Sequence, residues 1–167
     1  EPQFRVQPSA GSQSGRKMQY SAAQYCAQLK ASATRLSALT GQPALPLFRA
    51  PGGKTSPTLL ASARSCGFAH VGWADAGFLG DELPSEPYTN AKLLSKALKN
   101  IRVGDILVAH LGIWSRKDPW APVVLEPLIV GLKARGLCFA TLREHPEYRA
   151  WIRQHPLNLS VLTVSGK

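Results

Sequence analysis

The sequence contains no apolar run near the roughly 18–20 residues that a helix needs to cross a bilayer, so no segment reads as a membrane span. It also lacks the charged-then-apolar N-terminal stretch of a secretion signal. Cysteine is scarce: Cys26, Cys66 and Cys138 are odd in number, far apart and form no Cys-x-x-Cys pair, which leaves out the zinc-finger classes. Their apolar surroundings favour buried free thiols, with a single disulfide left open. The three residues do not fix the compartment. His70, His110, His145 and His155 show no metal-ligand spacing among themselves,. There is no recognisable RNA-binding motif and no basic run, although the net charge is +10. The charges are dispersed. Lys92, Lys96 and Lys99 recur at helical spacing opposite Leu93, Leu94 and Leu98, as on a solvated helix face. A nucleic-acid partner is therefore not expected, while attraction to an anionic polymer or a cell surface stays open.

What is present is enough for one sizeable core. The 167 residues are 44% hydrophobic and 18% charged, which suits a folded rather than a disordered chain. The chain starts at Glu1 without an initiator methionine, and the expectation is a processed product or a part of something longer. Residues 1–19, punctuated by Pro, Gly and Ser, read as loop. From Ser21 a helix is signalled by an N-cap with Gln24 three residues on, an apolar stripe of Tyr25, Leu29, Leu36 and Leu39, and a closing Gly41. A short strand, Leu45 to Arg49, follows. The unit then recurs. Ser56-Pro57 opens a second helix that ends at Cys66-Gly67, before "FAHVGW" at 68–73. Thr89 or Asn90 opens a third, before "DILVAH" at 105–110. Asp118-Pro119 opens a fourth that ends near Gly136, before "LCFATL" at 137–142. A short helix around Pro146–Gln154 comes last. Strands that are apolar along their length and alternate with helices predict an α/β fold with a parallel sheet. Four strands and about five helices make half of a barrel or a small open sheet.

The strands end on polar groups: Arg49, Asp75, His110, and Arg143 with Glu144 and His145. In parallel α/β folds such ends gather on one rim, where chemistry is done. Each of these residues taken singly also has a structural reading. Arg49 suits an ordinary surface position, and Asp75 suits a turn before Gly77. "LGIWSRKDPW" carries Trp114 and Trp120 in an expected rim loop, where aromatic faces suit a sugar ring; Trp120 could equally pack under the helix after Pro119. The insert "GFLGDELPSEPYTN" reads as another rim loop, with Asp81, Glu82 and Glu86 exposed to solvent.

Three of these stretches resemble, in order and spacing, motifs of the polysaccharide deacetylases with a NodB-homology domain (carbohydrate esterase family 4). "FRAPGG" is similar to the family's Arg-x-Pro-Tyr motif, "VGWADAGF" to its Asp- and Trp-containing strand end, and "ILVAHLG" to its Leu-x-His motif. The resemblance covers residues 20 to 145. It implies a parallel partial (β/α) barrel, the C-terminal half of a distorted NodB-type barrel, with all of 1–167 forming part of one domain and 146–167 its last helix and tail. It implies hydrolysis of acetyl groups from an acetylated polysaccharide or oligosaccharide, in the periplasm or outside the cell. It implies a divalent metal, zinc being favoured, on residues not in this chain: the family's Asp-Asp pair and His-x-x-x-His pair are both lacking. The missing N-terminal half of the domain would supply them, and the chain alone is expected to be inactive. A non-catalytic carbohydrate- or surface-binding relative without a metal site is the alternative. The implied roles are His110 as general acid, Asp75 as the carboxylate that keeps it protonated, and Arg49 as the group that holds the catalytic base ionised. Gly52, where the family has an aromatic residue, keeps a backbone N–H for the oxyanion. Trp114 and Trp120 would contact substrate.

Overall fold

Local capping decides where the helices begin. The computed structural model describes residues 3–7, 12–110 and 116–157. Its chain divides into two units, Glu1–Val71 with Leu142–Lys167 and Gly72–Thr141, each described by itself. Helices and strands are mixed, and the described residues contain a small two-stranded parallel sheet but no closed barrel. The fold is α/β at that coarse level.

In the first unit, strand β1 (Gln3–Val6) pairs antiparallel with β2 (Met18–Ser21). This hairpin corrects the reading of residues 1–19 as loop. The alternation Phe4-Arg5-Val6 and Met18-Gln19-Tyr20 is the period-2 pattern of a half-buried ribbon, interrupted in sequence by the Gly- and Ser-rich connection. Helix α1 (Ala22–Thr40) starts at Ser21 through a complete capping box. Ser21 Oγ accepts from the Gln24 N–H at 3.2 Å, and Gln24 Oε1 accepts from the Ser21 N–H at 2.9 Å. It stops at Gly41, whose φ of 66° is the left-handed closure that glycine adopts at least cost,. Only the first half of the expected stripe is covered. Tyr25 is buried, whereas Leu36 and Leu39 are 53% and 75% exposed. Strand β3 (Leu47–Phe48) pairs in parallel with β4 (Ala69–His70), with Phe48 opposite His70. Between them, α2 (Pro57–Ser65) is capped by Ser56, which accepts from the Leu59 N–H at 3.2 Å. Phe4, Tyr25, Leu59, Ala63 and Phe68 form this unit's core, with Phe4 edge-on to Tyr25 at 4.9 Å. Helix α5 (Pro146–Gln154) returns to the same unit. Its Tyr148 hydroxyl and Trp151 indole N–H donate to the His70 and Pro46 carbonyls.

In the second unit, α3 (Asn90–Asn100), capped by Thr89, packs against α4 (Leu125–Ala134). The core holds Leu93, Ala97, Ile101, Trp120, Leu128 and Leu132, and Lys92, Lys96 and Lys99 are exposed as expected. Arg135 at the end of α4 donates to the Leu98 and Ile101 carbonyls, a cation on the negative end of α3. The fourth helix starts later than Asp118-Pro119 implied. Trp120 turns into the core, and residues 121–124 form a turn before the helix begins at Leu125. The two remaining expected strands are only partly realised. "DILVAH" makes one isolated parallel bridge, Val108 to Phe78. "LCFATL" forms no described strand, and Phe139 is 49% exposed.

That single bridge depends on a close backbone approach. A Cβ at Gly77 would fall onto the Ile106 carbonyl, while a Cβ at Gly72 would meet nothing. Gly77→Ala is expected to lower stability by about 1–3 kcal/mol through overpacking, and Gly72→Ala to stay within about 0.5 kcal/mol of the parent. Urea denaturation of the two variants checks this; equal midpoints would mean the approach at Gly77 is not constrained.

Candidate functional site

The bridge sets the geometry of the second unit's polar end. Ala74 N–H donates to Ile106 O at 3.2 Å, and Val108 N–H donates to Gly77 O at 3.0 Å. With Phe78 fixed beside Val108, the chain continues through Leu79 and Gly80 to Asp81 on one side and through Ala109 to His110 on the other. Asp81 is 1% exposed. Its carboxylate accepts from the His110 backbone N–H, and both of its oxygens lie near the imidazole Nδ1, at 3.2 and 3.3 Å. A buried carboxylate needs such partners, because leaving it unpaired costs several kcal/mol. As an acceptor it puts the Nδ1 proton on the ring side, which leaves Nε2 as the nitrogen that can take or give a proton. The His110 side chain is 41% exposed, and the exposed Glu82 carboxylate lies 4.0 Å from Nε2. One edge of the ring is anchored and the other is open.

The loop after Asp81 is held by a buried arginine. Arg116 donates from Nε to Asp118 O at 3.1 Å and from one terminal nitrogen to Tyr88 O, Asn90 Oδ1 and Asp118 Oδ1, each at 3.0 Å. The other terminal nitrogen donates to Leu83 O. Ser85 adds bonds from the Lys117 and Asp118 N–H groups. The Asp118 carboxyl is held below its ordinary range, first by Ser85 and less by Arg116.

In the first unit, Arg49 follows β3 and is exposed. Ala50, 1% exposed, anchors the next turn, Pro51–Gly53. The bonds of that turn are donated by Gly53 and Lys54, so the Gly52 N–H takes no part in them. Gly52 has φ 61° and ψ 15° with nothing near an added Cβ. Backbone angle, not space, keeps an aromatic residue out here. His70, opposite Phe48, has its Nε2 buried without a hydrogen-bond partner among the described residues. Its pKa is lowered, first by burial and then by the Arg49 charge, so this imidazole stays neutral at pH 7.

The expected site residues therefore divide. Arg49 and Gly52 belong to the first unit, Asp75 and His110 to the second. Asp75 is exposed and opens the turn Asp75–Gly77; the described carboxylate on His110 Nδ1 is that of Asp81. The reading of Asp81 as solvent-exposed is thus corrected, although Glu82 and Glu86 are exposed as expected. Trp120, expected as a substrate wall, is 2% exposed within the core, so its faces are taken by packing. Trp114 lies outside the described residues. His145 caps α5, accepting from the Glu147 N–H at 3.3 Å. Sequence reading missed Asp81 and Arg116. The usable signal for Asp81 was an acidic residue placed one glycine beyond the apolar Phe78-Leu79 pair. Arg116 had none, because three of its five acceptors, on Leu83, Tyr88 and Asn90, lie 26–33 residues away in sequence.

No protein-family model matches the chain, and no curated protein matches it in sequence. No described helix is long and apolar enough to cross a membrane. Among the described residues no three His, Cys, Asp or Glu side chains are grouped so that they could hold a metal ion.

Two measurements follow from this geometry. Asp81→Asn is expected to cost about 1–3 kcal/mol, since a buried bonding set is disrupted. It should also mix the His110 tautomers, visible as ring ¹⁵N shifts, whereas Asp75→Asn should leave both stability and shifts unchanged. A ring unaffected by Asp81→Asn would mean that this carboxylate does not orient it. For His70, the unfolded chain holds the proton more tightly than the folded one, so stability rises with pH across the window. Its contribution is complete above about pH 6.5 and declines as pH falls toward the lowered folded value. Urea midpoints at pH 7.5 and 5.0 should differ less in His70→Gln than in the parent; equal differences would remove His70 as a source of acid sensitivity.

Proposed function

We propose that this chain carries the general-acid half of a polysaccharide deacetylase that hydrolyses acetyl groups from a carbohydrate in the periplasm or outside the cell. The observation that carries the reading is the His110 ring, held at Nδ1 by a buried carboxylate and solvent-exposed on the Nε2 side, in the "ILVAHLG" stretch that resembles the family's Leu-x-His motif. Deacetylation needs a proton delivered to the departing sugar nitrogen or oxygen as the C–N or C–O bond breaks. His110 Nε2 delivers it, and Asp81 orients the ring and stabilises the imidazolium from which the proton comes. Arg49 takes the role of holding a carboxylate by charge-assisted bonds, and the Gly52 N–H that of a donor to the oxyanion.

The finer architecture belongs to the same proposal: a partial (β/α) barrel completed by further chain that also brings the divalent metal's ligands. The exposure of Phe139 in the apolar "LCFATL" stretch supports it, because such a residue is normally covered by a neighbour. A second reading, a carbohydrate- or surface-binding relative without catalysis, is favoured by the net charge of +10.

Turnover of an acetylated oligosaccharide by the intact protein decides between them. His110→Ala should reduce kcat per folded molecule by about 10²–10⁴-fold, with the melting temperature also lowered because buried Asp81 loses its imidazole donor, and kcat should fall by less on an aryl acetate whose leaving group departs unprotonated. Residues 1–167 alone should show no turnover. Binding of the oligosaccharide without any hydrolysis by the intact protein would favour the second reading, and equal losses on both substrates would remove His110 as the acid.

A further inference from the structure

The first unit holds a cavity that the chemistry above does not use. Its volume is about 300 Å³, at the lower end of the range for small-molecule sites. It is lined by α2, by residues 68–70 and by α5. Side-chain bonds from α5 fix these walls. The Tyr148 hydroxyl donates to the His70 carbonyl at 3.3 Å, and the Trp151 indole N–H donates to the Pro46 carbonyl at 3.1 Å. Leu60, Phe68 and Trp151 supply apolar surface, and Leu60 is left 36% exposed. Two charges of opposite sign stand on the same walls, Arg64 from the last turn of α2 and Glu147 from the first turn of α5. The Arg64 guanidinium carbon lies 4.7 Å from the centre of the Trp151 ring. Stacking thus places the cation while its N–H edge stays available to an acceptor. Among the described residues neither Arg64 nor Glu147 is in an ion pair. A solvated charge near a helix end explains either residue alone. It does not explain why opposite charges from two helices border one cavity without pairing.

We propose that this cavity binds a small zwitterion with an apolar body, of which an amino acid is the simplest form. The ligand's carboxylate pairs with the Arg64 guanidinium, a planar fork that matches two carboxylate oxygens. Its ammonium pairs with the Glu147 carboxylate, and its apolar part lies on Leu60, Phe68 and Trp151. Charge selects this class over the others. A phosphate or a dicarboxylate brings a second negative charge toward Glu147, and like charges at close range repel. An amine without a carboxylate leaves Arg64 unpaired beside a second cation. A neutral apolar molecule takes water from both charges and gives neither a partner. A ligand with both signs satisfies both residues. His70, also on the wall, stays neutral at pH 7 because burial first and the Arg49 charge second lower its pKa, so it adds no third charge. Its buried Nε2 has no partner among the described residues, which leaves the wall one further hydrogen-bonding group. None of these residues belongs to the unit that carries His110 and Asp81. The proposal stands apart from the deacetylase reading, and failure of either leaves the other in place.

Titration of the intact ¹⁵N-labelled protein with L-phenylalanine tests it, read at the Trp151 indole N–H, a resonance assigned with Trp151→Phe. The shift should saturate. The analogues 3-phenylpropionate, without the ammonium, and 2-phenylethylamine, without the carboxylate, should each bind roughly 10-fold or more weakly than phenylalanine. Arg64→Gln should weaken phenylalanine by a similar factor, and Glu147→Gln should bring it to the level of 3-phenylpropionate. Both side chains are exposed, so both variants should stay folded, which their melting curves check. No saturable shift with phenylalanine, or unchanged affinity for it in Arg64→Gln and Glu147→Gln, would overturn the proposal. Either analogue binding as tightly as phenylalanine would do the same, since the site would then read a single charge.

Discussion

The buried carboxylate of Asp81 is the constraint on which the second unit's polar end depends. A carboxylate with a side chain wholly out of solvent is tolerated only where donors replace water. Here the donors are the backbone and the ring of one residue, His110. Both come into reach only because Phe78 and Val108 are registered in parallel, and that register depends on Gly77 having no side chain. The loop that follows cannot drift either, since Arg116 fastens Leu83, Tyr88 and Asn90 to Asp118. Two buried charges thus hold this end together: Asp81 fixes the histidine beside the bridge, and Arg116 fixes the loop that follows.

Two histidines at the ends of apolar segments show how environment divides a residue type into different roles. His110 has the buried Asp81 carboxylate at one nitrogen, and solvent with the exposed Glu82 carboxylate at the other, a combination that suits a proton donor. His70 has a buried, unbonded Nε2, and both burial and the Arg49 charge lower its pKa. It lies edge-on to Phe48 at 5.2 Å and behaves as a packing residue. The same side chain after the same kind of segment therefore carries no functional meaning until its neighbours are known.

The helix boundaries other than the start of α4, which has no side-chain cap, were legible in the sequence, because a cap is a local event. The Ser21 capping box, the Gly41 closure, the Ser56-Pro57 start and the span Pro146–Gln154 each depend on residues within a few positions of one another,. So did the solvated lysine face of α3. The order of apolar segments between helices was legible for the same reason, and with it the coarse α/β class. Arg49 and His110 could be singled out from their places at the ends of such segments.

Strand pairing and burial were decided only by tertiary contact, because both depend on partners distant in sequence. The Gln3–Val6 and Met18–Ser21 hairpin required two segments to meet across a polar connection. "DILVAH" found one bridging partner and "LCFATL" found none among the described residues, although their compositions are alike. Trp120 entered the core of the second unit, and Leu36 and Leu39 stayed exposed on α1, according to what packs over each position. Asp81 was chosen over Asp75 as the partner of His110 by the parallel register at Phe78. Hydrophobicity and capping act along the chain, whereas the pairing of a charge with its partner is settled in space.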